Sequence, residues 1–181
     1  MKGGPEKADG GRRYWPAFLR GDVASEIHAR LSGDGDPLRL TERTARRLRE
    51  VWFLVDHDRV LTRVFTLCAY GATTETAPED LEAWSIAKID LAIDQLMRRD
   101  AEAEAREPGL MEEEEKRFPL LTECLMREPG RVRLYSVRFN SLPELTRRAF
   151  FELLIEGRDV LEVIEGGPWN RESLRGHVQQ A

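Results

Sequence analysis

Apolar positions along this chain recur at intervals of three and four, and nowhere alternate as a strand would. Val23, Ile27 and Leu31 form a first stripe, behind Asp22 as a cap and ahead of Gly33 as a stop. After a Gly/Asp/Pro loop over 32–40, a helix begins at Thr41. It sets Leu48, Val51 and Trp52 on one face and Arg43, Arg46, Arg47 and Arg49 largely on the other. Asp56-His57-Asp58 breaks the path, and Val60, Leu61, Val64, Phe65, Leu67 and Cys68 resume it at helical spacing. Gly71 to Pro78 reads as a polar connector. Pro78-Glu79-Asp80 then opens a long helix closed by Arg98-Arg99 at Asp100, with Leu81, Trp84, Ile89, Ala92, Ile93 and Leu96 inward.

The grammar changes after residue 100. Ala and Glu alternate, Pro108-Gly109 intervenes, and Glu112 to Glu115 stand in a row. A helical piece is expected from Leu120 to Met126, ended by Pro129-Gly130. Ser141-Leu142-Pro143-Glu144 has the form of a capping box opening a helix with Leu145, Ala149, Phe150, Leu153 and Leu154 as its stripe, stopped by Gly157. Asp159 and Glu162 open a short helix carrying Val160, Val163 and Ile164. Gly166-Gly167-Pro168-Trp169 supplies a sharp turn, with Trp169 read as a plug between helices. Asn170 caps a last helix, Arg171 to Gln180, whose Leu174 and Val178 face inward. The expectation is an all-α protein of two small helical domains joined by an acidic linker. The divisions are a leader over 1–21, a helical domain over 22–103, a linker over 104–135 and a helix-turn-helix domain over 136–181.

Composition adds limits. With 181 residues, 41% hydrophobic and 34% charged, the chain suits a soluble helical protein. No apolar run reaches the roughly 18 residues that a bilayer span needs. The N-terminus lacks an apolar signal core, so a cytoplasmic protein without a membrane partner is expected. Cys68 and Cys124 read as reduced, buried thiols. The net charge is −5, and residues 136–181 hold six Lys or Arg against seven Asp or Glu. A chain without a basic face reaches nucleic acid only through local contacts or with a partner's help.

Candidate chemistry is narrow. His28, His57 and His177 are dispersed, and neighbouring side chains such as Asp56-His57-Asp58 rarely converge on one ion. The spacing argues for no catalytic residues, metal site or cofactor. In a helix-turn-helix the second helix offers its first turns to the major groove. Asn170, Arg171, Ser173, Arg175 and His177 are the candidates there; a solvated helix face is the alternative for the same residues. Arg98 and Arg99 suit a phosphate backbone, or equally the negative end of their helix.

Two segments resemble extracytoplasmic-function (ECF) sigma factors, small bacterial transcription initiation factors. Leu81-Glu-Ala-Trp-Ser-Ile-Ala-Lys-Ile-Asp-Leu-Ala-Ile-Asp-Gln-Leu-Met-Arg-Arg99 is similar to the family's Trp, Ile-Ala, Ala-Ile-Asp, Leu and basic pattern. Leu142-Pro-Glu-Leu-Thr-Arg-Arg-Ala-Phe-Phe-Glu-Leu-Leu-Ile-Glu-Gly157 is similar to its Leu-Pro-Glu opening and Glu-Gly close. The resemblance implies that core RNA polymerase and promoter DNA are partners, with an anti-sigma factor as a further candidate. It places Lys88, Arg98 and Arg99 at the −10 element and the last helix at the −35 element. Arg63, Val64 and Phe65 fall near the polymerase-binding surface, and the Glu112–Glu115 run falls where the family's linker threads the RNA channel. The second expectation is a sigma-like interaction protein that binds polymerase or another factor without promoter recognition, favoured by the sparse cations beyond Arg99.

Overall fold

The computed structural model describes residues 24–33, 35–106 and 129–181, together with 15, 16 and 19. All regular structure among the described residues is helical, and none of it is strand. The helices are α1 (Ala24–Gly33), α2 (Leu40–Val51), α3 (His57–Thr74), α4 (Leu81–Arg106), α5 (Pro129–Asn140), α6 (Glu144–Phe150), α7 (Val160–Gly166) and α8 (Arg171–Gln180). A π-helical turn, Phe151–Ile155, continues α6. The predicted leader falls almost wholly outside the described residues. So do the acidic run Glu112–Glu115 and the helical piece expected over 120–126.

Short polar side chains set most helix starts. The Asp36 carboxylate accepts from the N–H groups of Leu40 and Thr41, both at 2.7 Å, and so holds the first turn of α2. Buried Asp56 accepts from the N–H groups of Asp58 and Arg59 and caps α3. Asp159 caps α7 through the N–H of Leu161 at 2.7 Å.

Helices α1 to α4 close around one apolar cluster. Ile27, Leu31, Leu40, Val60, Val64, Cys68, Ile89 and Ala92 lie at its centre. Arginine rungs tie α4 to its neighbours. Arg47 of α2 grips Asp90 with two bonds, at 2.7 and 3.1 Å. Arg59 of α3 grips Asp100 at 2.8 and 3.0 Å, and Arg133 of α5 reaches Glu104 at 2.8 Å. Paired, planar contacts of this kind fix register as well as charge. A second, smaller cluster joins Ala149, Val163, Trp169 and Leu174, with Leu153, Ile164 and Val178 beside it.

The two clusters meet at the loop between α2 and α3. Trp52 adopts a left-handed backbone (φ 50°) that ends α2, and the Arg148 guanidinium lies 5.3 Å from its ring. Arg147 lies 4.3 Å over the Phe53 ring. Phe139 of α5 packs edge-on against Phe150 at 5.0 Å.

Several expectations need correction. Helix α3 runs to Thr74, into the first half of the predicted connector, which Glu75 to Pro78 continue as non-helical chain. Helix α4 continues to Arg106, because Ala and Glu favour helix and Glu104 is anchored by Arg133. Pro129 opens a helix where it was expected to end one, since proline also suits a first turn. The Ser141 box does not form: α6 begins at Glu144, and the Ser141 hydroxyl donates back to the Arg138 carbonyl at 2.6 Å. Leu145 and Leu154, predicted inward, are exposed, while Thr146 and Glu152 are buried. Arg43 and Arg47 turn toward α4 and not to open solvent. Trp52 and Trp84, expected in the core, are half-buried at its margin. Cys68 is a buried thiol, pushed up to about 12 by burial. Cys124 lies outside the described residues. No helix among the described residues is long and apolar enough to cross a membrane.

Candidate functional site

The candidate site is built on α6 to α8. Helix α6 buries Thr146, Ala149 and Glu152. Thr146 is polar, yet its hydroxyl lies 2.9 Å from Nδ1 of His177 and 3.2 Å from Oε1 of Gln180. Glu152 accepts from Arg148 at 2.6 Å and from Arg158 at 2.9 Å, so its charge is matched twice. Gly157 takes φ +66°, and the chain turns into α7.

Between α7 and α8 the turn Gly167-Pro168-Trp169-Asn170 reverses direction. Trp169 fills it, 5% exposed, with the Arg148 guanidinium 5.0 Å from its ring. A side chain at position 167 would sit 2.3 Å from Trp169 ring carbons, so close approach requires glycine there. Asn170 then caps α8 in a reciprocal box: its Oδ1 accepts from the Ser173 N–H at 2.9 Å, and the Ser173 hydroxyl accepts from the Asn170 N–H at 3.0 Å.

Leu174 is buried under α8 and Val178 is half-buried, so the opposite face is open. Arg171 and Arg175, four residues apart, flank the inward stripe: Arg171 lies three and seven residues from Leu174 and Val178, and Arg175 three from Val178. Both are exposed, with no ion pair or hydrogen bond among the described residues. They line a groove of about 690 Å³ together with Leu153, Val160, Leu174 and Val178 and with Glu172 and Gln179. Leu154 and Leu161 are exposed nearby in the chain, 59% and 64%.

The remaining sequence-predicted residues divide sharply. Asn170 and Ser173 are exposed but engaged in the cap. His177 is half-buried against Thr146. Lys88 pairs with Glu75 and lies 5.3 Å from the Trp84 ring, with a side chain only 14% exposed. Arg98 and Arg99 are exposed. They sit within α4, two turns before its end, so the dipole of a helix terminus does not account for them. Arg63 donates to Oε1 of Gln95 at 2.6 and 2.8 Å, and Val64 and Phe65 are core residues. The cations left open are therefore Arg98 and Arg99 on α4 and Arg171 and Arg175 on α8. The structure unites each pair on its helix; Lys88 and His177 join neither.

Sequence reasoning overlooked Arg147 and Arg148, which carry the packing behind the site. Arg147 donates to the Leu142 carbonyl at 2.5 Å, and burial draws its pKa below the ordinary guanidinium value. The signal available was two arginines three and four residues after Glu144 in the same helix. Among the described residues no three His, Cys, Asp or Glu side chains gather to hold a metal ion.

No family model matches the chain, and no curated protein and no solved structure matches it.

Proposed function

We propose that this chain acts as an ECF-like sigma factor, bringing core RNA polymerase to promoter DNA. The observation that carries the reading is the pair Arg171 and Arg175 in the first turns of α8, exposed beside the groove and without an ion pair among the described residues. That helix is set off from α7 by a four-residue turn plugged by Trp169. A short helix, a turn containing glycine and a second helix offering its first turns outward are the parts of a helix-turn-helix. Arginine on such a helix reads guanine with two hydrogen bonds, each good pair giving about 1–3 kcal/mol of discrimination.

Arg98 and Arg99 on α4 supply a second cationic point in the segment that resembles the family's −10-binding helix. These two pairs of arginines by themselves make a weak electrostatic footprint. In this reading polymerase contributes most of the affinity, and the α8 contacts choose the sequence. Gel shifts with promoter DNA, with and without polymerase, test it. Binding that requires polymerase supports the reading; no binding in either case, with no polymerase pull-down, ends it.

A second reading is favoured by one observation. Leu154, Ile155 and Leu161 are exposed close to α8, and a protein partner would cover them. The chain would then be a sigma-like interaction protein that engages polymerase or another factor without reading promoters. Polymerase pull-down without DNA binding selects this reading.

A further inference from the structure

Helices α6 to α8 have an apolar cluster of their own, and the contacts that join them to the rest are of another kind. Two arginines of α6 sit on two successive residues of the loop after α2. Arg147 lies 4.3 Å from the Phe53 ring, and Arg148 lies 5.3 Å from the Trp52 ring. That loop belongs to the first unit, since Asn140 of α5 holds the Leu54 backbone and Arg133 ties α5 to α4. Phe139, at the end of α5, meets Phe150 and Phe151 at 5.0 and 5.8 Å, beside the short connection 141–143. The seam is not filled. A groove of about 540 Å³ opens between Leu54, Tyr135 and Phe139 on one side and Phe150, Ile155 and Gln180 on the other. A protein core leaves few voids larger than a water molecule, so this seam lacks the packing of a core.

Arg148 also reaches the turn before α8. Its Nε donates to buried Glu152 at 2.6 Å and Nη2 to the Gly166 carbonyl at 3.4 Å. The same guanidinium lies 5.0 Å from the Trp169 ring that plugs the turn. One side chain therefore touches both the docking loop and the plug. Neither tryptophan is held rigidly by hydrogen bonds or an easy backbone. Trp52 keeps a left-handed backbone, φ 50°, which bulky residues rarely adopt. The buried Trp169 indole N–H has no hydrogen-bond partner among the described residues, so packing positions the ring.

We propose that Arg148 is the working part of a latch: α6 to α8 dock reversibly on the Trp52–Phe53 loop, and Arg148 transmits docking or release to the turn that sets α8. Docked, its guanidinium lies against Trp52 and Trp169 and keeps the plug in place. Released, it keeps Glu152, loses Trp52, and the plug resettles with it. The pivot is the connection 141–143, where Arg147 donates to the carbonyls of Asn140 and Leu142. Coupling of this kind is reciprocal, so a ligand that resets the turn before α8 also weakens docking. The latch works in the same way whatever α8 binds.

The test uses the full-length, isotope-labelled protein and reads two signals. Amide relaxation reports whether α4 and α8 tumble as one body, and the indole N–H resonances report the Trp169 ring. Trp52→Gly removes one ring and leaves the turn at ease, because glycine takes a left-handed backbone freely. Phe53→Leu removes the other ring. Each is expected to raise the released fraction about two- to fivefold, the scale of an exposed guanidinium–ring contact. Both changes together raise it about four- to twenty-fivefold. The Trp169 indole and Gly167 amide resonances should move in step with the released fraction. Phe53→Leu is the sharper arm: the guanidinium over that ring is that of Arg147, so a change at Trp169 arrives there through docking. Circular dichroism checks the fold of each variant. Should Trp52→Gly not fold, Phe53→Leu decides by itself. Parent units that already tumble independently, a released fraction that does not rise, or release that leaves Trp169 and Gly167 unmoved overturns the proposal.

Discussion

The side-chain amide of Asn140 pairs in both directions with the backbone of Leu54. The Leu54 N–H donates to Oδ1 at 2.8 Å, and Nδ2 donates to the Leu54 carbonyl at 3.0 Å. This contact joins the end of α5 to the loop after α2, across 86 positions of sequence. Asn140→Ala leaves both backbone groups without these bonds. A loss of about 1–3 kcal/mol is expected, toward the lower end because Leu54 is half-buried. Urea unfolding measures it; an unchanged midpoint would show that water replaces the amide without cost.

Two glycines in the last quarter of the chain should respond in opposite senses. A Cβ at Gly167 would meet the Trp169 ring at 2.3 Å and the Val163 carbonyl at 3.0 Å. Gly167→Ala is therefore expected to cost about 1–3 kcal/mol by overpacking the turn. Gly176 lies within α8, with nothing within 4 Å of the added atom. Gly176→Ala should stabilise by roughly 0.5–1 kcal/mol through helix propensity. Thermal melts of the two variants beside the parent read both signs.

Arg59 and Asp100 form a two-bond ion pair whose side chains are 13% and 12% exposed. Removing one partner of a pair this deeply placed costs about 3–5 kcal/mol, because a charge is left in a poor solvent. Asp100→Ala should fall near the lower figure. A double-mutant cycle with Arg59→Ala should return a coupling of about 0.5–3 kcal/mol. Additive losses would mean that the two side chains act independently.

The carboxylate of Glu75 is held below the ordinary range by Lys88 and by the Trp84 indole N–H, which donates at 2.9 Å. A lowered acid stabilises the fold fully above its unfolded pKa, about 4.3. That contribution is lost as pH falls through the lower folded value. Glu75→Gln should therefore be less stable than the parent near neutrality, and the two should converge in acid. The side chain is 41% exposed, so the gap is small. Urea midpoints at about pH 7 and about pH 3 decide; a constant gap contradicts the assignment.

How much of this was legible in the sequence depends on which interactions were local. The caps at Asp159 and Asn170 need only a few neighbouring residues, and the inward set Ile89, Ala92, Ile93 and Leu96 follows an undisturbed helical period. The stripe of α6 holds at Ala149 and Leu153 and fails at Leu145 and at Leu154, the latter within the π-helical turn Phe151–Ile155 that shifts the period. Distant partners also bury polar groups: His177 for Thr146, Arg158 for Glu152. The inward stripe of α8, Leu174 and Val178, could be read from its helical period. The engagement of Lys88 by Glu75 could not, since it depends on how α3 meets α4. Val64 and Phe65 were placed in an apolar run, yet their resemblance-based role set them at a surface; the packing of α3 at the centre of its cluster puts them inside.

The central claim is that Arg171 and Arg175 touch promoter DNA while polymerase supplies the affinity. The most direct measurement is a gel shift of polymerase with the full-length chain on a DNA selected from a random-promoter pool, repeated with Arg171→Ala and Arg175→Ala. The account predicts a complex that needs both proteins, and a loss of about 1–3 kcal/mol for each variant, with relaxed choice of sequence. Equal binding by parent and variants, or no complex with polymerase present, would contradict it.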